Sequence, residues 1–276
     1  MLRSDFHIHT KYLGCGNHTL EVPAILLECH RVGVRHIAIT DHLNVLDQLP
    51  KHKPIREDIL ALRRQAEDGR GDIAQALQQT NVYFGVELNY QGLDRPFAFS
   101  EEIKEQHGFQ FAIGGIHETY LQSYDPKKLA EIQQRHHLRT CEDPLVDVLV
   151  HPYWFWKPEF TKRGWPWLET MKIVPESYVR ELGQASRDTG TAIEINAMAI
   201  LECPDYSAEF KKSYEEYLAV LVEQGAIFSF ASDAHDISQL AAVRSSWAMA
   251  ERLGLKDNQV WRPKCKPMLG PDAGNV

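Results

Sequence analysis

Near the start of the chain, the hexapeptide DFHIHT at 5–10 sets two histidines one residue apart. Side chains alternate along a strand, so His7 and His9 are expected on one face, with Phe6 and Ile8 on the other. Two imidazoles placed that way can share one metal ion, whereas a bare pair on a surface strand does no chemistry. The company the pair keeps decides between these readings. The chain holds thirteen histidines, and several stand beside carboxylates: Asp41 next to His42, and Asp233 two residues before His235. Glu87, His117 and His151 lie between them. Imidazole-rich sets with carboxylates suit zinc, iron or manganese better than calcium or magnesium. A carboxylate between two such cations holds them about 3.5–4 Å apart, close enough to share one water and lower its pKa. The resulting hydroxide attacks phosphorus while the metals neutralise the non-bridging oxygens. The same nucleophile also attacks a carbonyl carbon, so a non-phosphate metallohydrolase stands as an alternative.

Such residues need strands to aim them. β-rich runs occur at 5–10, 36–42, 82–90, 109–117, 146–152, 191–197 and 226–235, and helical spacing at 21–33, 56–79, 126–138, 176–189, 206–224 and 238–253. Gly33, Gly190, Gly225 and Gly254 stand where left-handed caps would close helices. The runs IAIT, VLVH and FSFA are almost wholly apolar, as parallel strands covered on both faces require. Seven β–α repeats predict an α/β fold, a distorted TIM-like barrel, whose C-terminal strand ends converge on one mouth. His7, His9, His42, Glu87, His117, His151, Asp233 and His235 all fall at or near such ends. An open doubly wound sheet is disfavoured, because no G-x-G-x-x-G follows the first strand. Residues 1–260 are read as a single domain and 261–276, rich in proline and glycine, as a loose extension.

Composition excludes several classes of function. A net charge of −8 with no long basic run disfavours extended nucleic acid as a partner. Five scattered cysteines, odd in number and without C-x-x-C spacing, read as mostly free thiols in a reducing compartment. No apolar stretch suits a signal peptide or a membrane span, so a cytoplasmic location is expected.

Taken together, H-x-H after the first strand, T-D-H after the second, a mid-chain Glu, two spaced histidines and a late D-A-H resemble the PHP (polymerase and histidinol phosphatase) superfamily. The pattern runs from 5 to 235, and CGNH at 15–18 resembles the loop of histidinol phosphatases in which a histidine follows a Cys-Gly pair. The resemblance implies a (β/α)7 barrel with two to three divalent metals, zinc, manganese or iron, at its C-terminal mouth. It assigns His7, His9, Glu87 and Asp233 to one metal, and the bridging Glu87 with His117 and His151 to a second. A third takes His18, His42 and His235. The implied activity is hydrolysis of a small organic phosphate monoester by a metal-bridging hydroxide, with Glu87, Asp233 and His235 as the catalytic group. A phosphodiesterase or exonuclease acting on short or cyclic nucleotides is the alternative.

Further residues have two readings each. Asp41 either orients a metal ligand or caps the following loop. Glu194 and Asn196 share a strand face in an E-x-N like one that recurs in the superfamily; Asn196 is a candidate substrate contact and Glu194 a buried partner for a cation. Lys157 and Arg244 are candidate phosphate clamps that also fit solvated positions. The run YWFWK at 153–157 fits a wall at the mouth or ordinary core. His30, His36, His52, His107, His136 and His137 have no place in the pattern.

Overall fold

In the computed structural model, which describes residues 2–67 and 69–273, all the main strands run parallel. Met1, Asp68 within the expected helix 56–79, and 274–276 of the expected extension lie outside the described residues. One sheet has the order β1 (Ser4–Ile8), β2 (His36–Ile39), β4 (Asn81–Phe84). The other runs β3 (His42–Leu43), β5 (Val86–Asn89), β6 (Ala112–Gly115), β7 (Val148–Leu149), β8 (Ala192–Asn196), β9 (Phe228–Ala231). The two belong to one ring, because β2 continues into β3 and β4 into β5. At its far side Ile8 bridges Ala234 in parallel, and the Asp233 amide donates to the His7 carbonyl at 2.9 Å. The fold is the distorted TIM-like barrel, its seven runs in chain order.

Two of those runs break for local reasons. At 40–41 the strand leaves its neighbour, and Thr40 Oγ1 accepts from the Ile8 amide at 3.3 Å. At Gly85, a Cβ would lie 2.9 Å from the Thr40 methyl group and 3.1 Å from Phe111, so only glycine lets the strands approach there.

The opening strand departs from simple alternation. Ser4 and Asp5 pair with His36 and Ile37, but Ile8 pairs with Ile39, so two residues oppose Ala38 alone. This bulge separates Phe6 from Ile8, which were expected to share a face. Phe6 joins Ala38, Tyr83, Phe111, Ile113, Val148, Val150 and Trp261 inside the ring, while Ile8 packs in the layer under the helices.

Helices α1 (Val22–Val32), α2 (His52–Gln65), α3 (Gly71–Leu77), α4 (Glu101–His107), α5 (Pro126–Cys141), α6 (Lys157–Arg163), α7 (Glu176–Thr189), α8 (Ala208–Glu223) and α9 (Val243–Arg252) supply the outer layer. Gly33 and Gly190 close α1 and α7 in the left-handed conformation, as their positions suggested. The single helix expected at 56–79 is instead α2 and α3, with Gly69 at φ 67° between them and Gly71 at φ 80° opening α3. The helix expected from 238 begins as a 3₁₀ turn and becomes α9 only at Val243. No described helix is long and apolar enough to cross a membrane.

The described run after Val260, residues 261–273, is packed, not loose. Trp261 lies 5.1 Å, centroid to centroid, from both Phe6 and Phe111, and its amide donates to the Phe228 carbonyl at 2.8 Å. Farther on, Val82 N donates to the Leu269 carbonyl at 2.8 Å, and Asn81 Nδ2 to Asp272 at 2.6 Å. All these contacts fall at the strand starts, so the tail closes the floor opposite the mouth. Burial of each such aromatic ring contributes on the order of 2–3 kcal/mol, which outweighs the chain stiffness and kinks that proline and glycine bring.

Candidate metal centre

At the mouth, the strand ends deliver their polar side chains to one buried point. His7 Nε2 and His9 Nε2 are 3.1 Å apart, and His9 Nε2 is 3.1 Å from Asp233 Oδ1. Glu87 is fully buried among them and divides its two oxygens. Oε2 lies 3.3 Å from His7 Nε2, 3.6 Å from His9 Nε2 and 2.6 Å from His42 Nδ1. Oε1 lies 3.2 Å from His117 Nε2 and 3.3 Å from His151 Nε2. Two of these positions are held in strained backbone: His151 and Asp233 have φ of 31° and 56°, where non-glycine residues are rare.

A second layer fixes the rings. Glu194 only accepts, so His7 Nδ1 carries the hydrogen of their 2.8 Å contact and Nε2 faces the cluster. His117 Nδ1 donates to Asn89 Oδ1 at 2.7 Å, and His235 Nδ1 to the Asp233 carbonyl at 3.0 Å, with the same result. Glu194 also accepts the His151 amide at 2.8 Å, so one carboxylate positions two imidazoles. Asn89 escaped sequence reasoning, although it stands two residues past Glu87 on the same strand and hence the same face.

Asn196, expected to touch substrate, is spent inside the protein. Its Nδ2 donates to Glu194 at 2.8 Å and Asp233 at 3.2 Å, and its Oδ1 accepts from Ala199 N at 2.8 Å. Asp41 accepts from both the amide and the hydroxyl of Thr10, at 3.0 and 2.7 Å, so it is spent on the end of the first strand and not on the loop that follows it. Arg244 does not join the site: its guanidinium donates to the Val32 carbonyl at 2.8 Å, outside the cavity lining. Lys157 does line the cavity, paired with Asp205 at 3.2 Å.

The loop at 15–18 is arranged differently from expectation. His18 is exposed, and Cys15 points inward instead. His9, Cys15, His42 and His235 offer ligand atoms within 4.8 Å of one another. The same holds for His7, His9 and Asp233, and for His42, Glu87 and His117. A thiol in the quoted CGNH was the available signal; a histidine in the same tetrapeptide drew the assignment. Above the cluster opens a cavity of about 390 Å³, lined by His42, Glu87, His117, His151, Asp233 and His235 at its base. Trp154, Phe155 and Trp156 form a wall, while Tyr153 is core, its hydroxyl donating to Gln134 at 2.8 Å.

The family model of the PHP domain matches residues 5–153, over half of the sequence. The chain belongs to the PHP family. Its fold is similar to a histidinol phosphate phosphatase from Lactococcus lactis subsp. lactis Il1403, solved with zinc, L-histidinol and phosphate. That likeness has a TM-score of 0.62 at 17% identity, over 92% of this chain and 95% of the other. A putative histidinol phosphatase from Listeria monocytogenes is similar at TM-score 0.56 and 12% identity, over 86% and 97%. No curated protein sequence matches.

The donor set of this PHP chain fits a divalent transition metal by a test internal to the structure. Glu87 Oε2, His42 Nδ1, His9 Nδ1 and His151 Nδ1 are buried without a hydrogen-bond partner among the described residues. The short Glu87–His42 approach therefore has no hydrogen-bond alignment, as expected of two donors aimed at a common cation. Charge points the same way. Burial opposes a proton on His7, but Asp233, Glu194 and Glu87 outweigh it and push the imidazole well above its usual range. Burial likewise opposes charge on His42, yet Glu87 and Cys15 raise it to about 11. Against its own burial, Glu87 is held well below the carboxylate range by His42, His7, His117 and His151. Burial would raise the Cys15 thiol; the neighbouring imidazoles of His235, His42 and His9 bring it down to about 4. The negative charge that would retain protons here is the charge that would hold cations in their place.

Proposed function

We propose that this PHP protein is a metal-dependent phosphoesterase that hydrolyses a small organic phosphate monoester. The observation that carries the proposal is Glu87, buried beneath a cavity with one oxygen toward His7, His9 and His42 and the other toward His117 and His151. In this reading His7, His9, Glu87 and Asp233 hold one cation, and Glu87, His117 and His151 a second. His42 and His235 serve a third. Zinc, manganese or iron bound there would supply Lewis acidity toward an attacking water and toward the phosphate oxygens.

The chain's own groups do the rest. Glu87 sets the separation of the two inner positions and offsets their repulsion. Asp233 and His235, joined through the bond from His235 Nδ1 to the Asp233 carbonyl, line the base of the cavity. The Lys157 ammonium at the rim is free to turn from Asp205 toward an entering phosphate, at little cost for an exposed pair. Trp154, Phe155 and Trp156 exclude water and offer a flat apolar face to the leaving group. Asn196 acts only through Glu194 and Asp233, and Arg244 is structural. The domain, 1–260, would carry the chemistry, with the described part of the following run, 261–273, sealing its floor.

A cavity of about 390 Å³ suits a metabolite. Net charge of −8 disfavours a long polyanion. The Lactococcus lactis structure carries L-histidinol and phosphate, which makes histidinol phosphate the first ester to try. The test is a panel of phosphate monoesters, cyclic and linear dinucleotides and single-stranded oligonucleotides, with metal-loaded protein. Monoesters are expected to turn over fastest; faster cleavage of internal linkages would replace this reading with the diesterase.

A further inference from the structure

We infer that Cys15 supplies a thiolate ligand to the third metal position, in place of His18, and that this makes the position selective for a thiophilic ion such as zinc over manganese. The inference rests on the metal-dependent reading above and concerns which atoms complete its outer position.

Four ligand atoms, from His9, Cys15, His42 and His235, lie within 4.8 Å of one another. Bond lengths of about 2.0–2.1 Å to nitrogen and 2.3 Å to sulfur place tetrahedral ligand atoms roughly 3.3–3.6 Å apart, so a small contraction closes the set. The rings are already gathered, with His9 centred 4.6 Å from His42 and 4.4 Å from His235. His9 is fully buried, and its Nδ1 has no hydrogen-bond partner among the described residues. Its Nε2 already converges on His7 and Asp233. If His9 stays with them, Cys15, His42 and His235 leave one position open beside the cavity, the pattern of a catalytic rather than a structural site.

The loop is built to turn Cys15 in and His18 out. A Cβ on Gly16 would sit 2.5 Å from the Thr10 carbonyl, so glycine lets the chain double back against the first strand's end. The Asn17 amide then donates to the His235 carbonyl at 2.9 Å, and the Asn17 side chain is engaged with Thr19 and Asp236. That turn carries His18 to the surface on the side of Asp236. Sulfur differs from imidazole in softness, so a thiolate biases the position toward zinc, cobalt or cadmium and away from manganese or magnesium.

Cobalt(II) loaded into the metal-stripped full chain gives the decisive signal. A thiolate-to-cobalt charge-transfer band in the near ultraviolet is expected, and it should disappear in Cys15→Ser while persisting in His18→Ala and Cys203→Ser. One cobalt of the set should bind Cys15→Ser at least about 100-fold more weakly. Cobalt bound without the band overturns Cys15 as ligand and leaves the metal-dependent reading standing; no cobalt bound at all overturns that reading itself. A measurement on the unmodified chain covers a variant that fails to fold. Zinc should protect Cys15 from iodoacetamide, read peptide by peptide, while Cys203 and Cys265 alkylate at unchanged rates. Equal alkylation of Cys15 with and without bound zinc would also overturn the inference.

Discussion

His7 and His18 contrast the two ways this site is built. His7 is buried, with Nδ1 tied to Glu194 at 2.8 Å and Nε2 facing His9, Glu87 and Asp233. Its backbone belongs to a paired strand. His18 sits on a loop that is held through Asn17 and Gly16, and the ring itself faces solvent. The strand-borne half is the more determined: Glu194 stands behind His7 and Asn89 behind His117, and Glu194 also holds the His151 amide. In the loop-borne half, one turn decides which side chain enters. Substitutions should therefore grade in effect from the shared centre outward.

Glu87→Gln should have the largest effect. It neutralises the carboxylate that faces both histidine sets and leaves the remaining positions with less charge to hold cations. A fall in kcat/KM of at least about a thousand-fold is expected, beyond that of losing one transition-state donor. Steady-state kinetics with metal counts on the same sample check it. A fall no greater than that of an outer-ring substitution would mean that Glu87 does not span two positions.

Glu194→Gln comes next, and it tests whether the second layer matters as much as its geometry implies. The amide still bonds the His151 amide through its oxygen but no longer pairs as an anion with His7. Metal affinity should drop about 10- to 100-fold with secondary structure retained. Titration with a competing chelator measures it; unchanged affinity would make Glu194 a core residue only.

The strand-borne half was legible because doubly covered parallel strands have a strong signature, and side chains at their ends inherit that register. IAIT, VLVH and FSFA could be placed from composition alone, and His42, His151 and Asp233 followed. The bulge at Phe6–His7 was not legible, since it depends on which residues of β2 lie opposite. Nor was the break at Gly85, which a methyl group on Thr40 imposes from another strand. Trp261 was misjudged for the same reason: prolines and glycines around it suggested slack, while its partners Phe6 and Phe111 are far away in sequence. Cys15 and His18 differ by three positions in a loop, where nothing periodic indicates which of them turns inward. Arg244 has the right chemistry for phosphate, and only the fold shows it spent on Val32.

Metal binding should also reverse how stability responds to pH. In the metal-free protein His9 and His42 are raised above the ordinary 6.5, to about 9 and about 11, by their carboxylate and thiolate neighbours against the cost of burial. Groups raised on folding add stability that is complete below pH 6.5 and is lost as pH climbs through those values. Metal binding must displace the same protons, so it strengthens over that range. The gap in Tm between loaded and stripped protein should widen from pH 6.5 to 9. Calorimetry on both forms checks it, and a constant gap would separate these histidines from the metal.

His18→Ala should have the smallest effect, and it bears most directly on the contrast between the halves. If the third position uses His18, its removal strips a ligand from a set that includes His42 and His235, and activity or metal content must fall measurably. In the structure the ring is exposed and belongs to none of the ligand groups found among the described residues. The bonds that hold the loop join Asn17 to Thr19 and Asp236, and Thr19 to the Ile237 amide, with Gly16 at the close approach to Thr10. An alanine at 18 disturbs none of them, and substitutions at exposed sites of this kind usually shift stability within about 0.5 kcal/mol. Less than a twofold change in kcat/KM, with metal stoichiometry unaltered, is the expected outcome. A larger loss accompanied by release of one metal would mean that the loop rearranges when loaded and brings His18 inward, making the turn at Asn17 a property of the metal-free state alone.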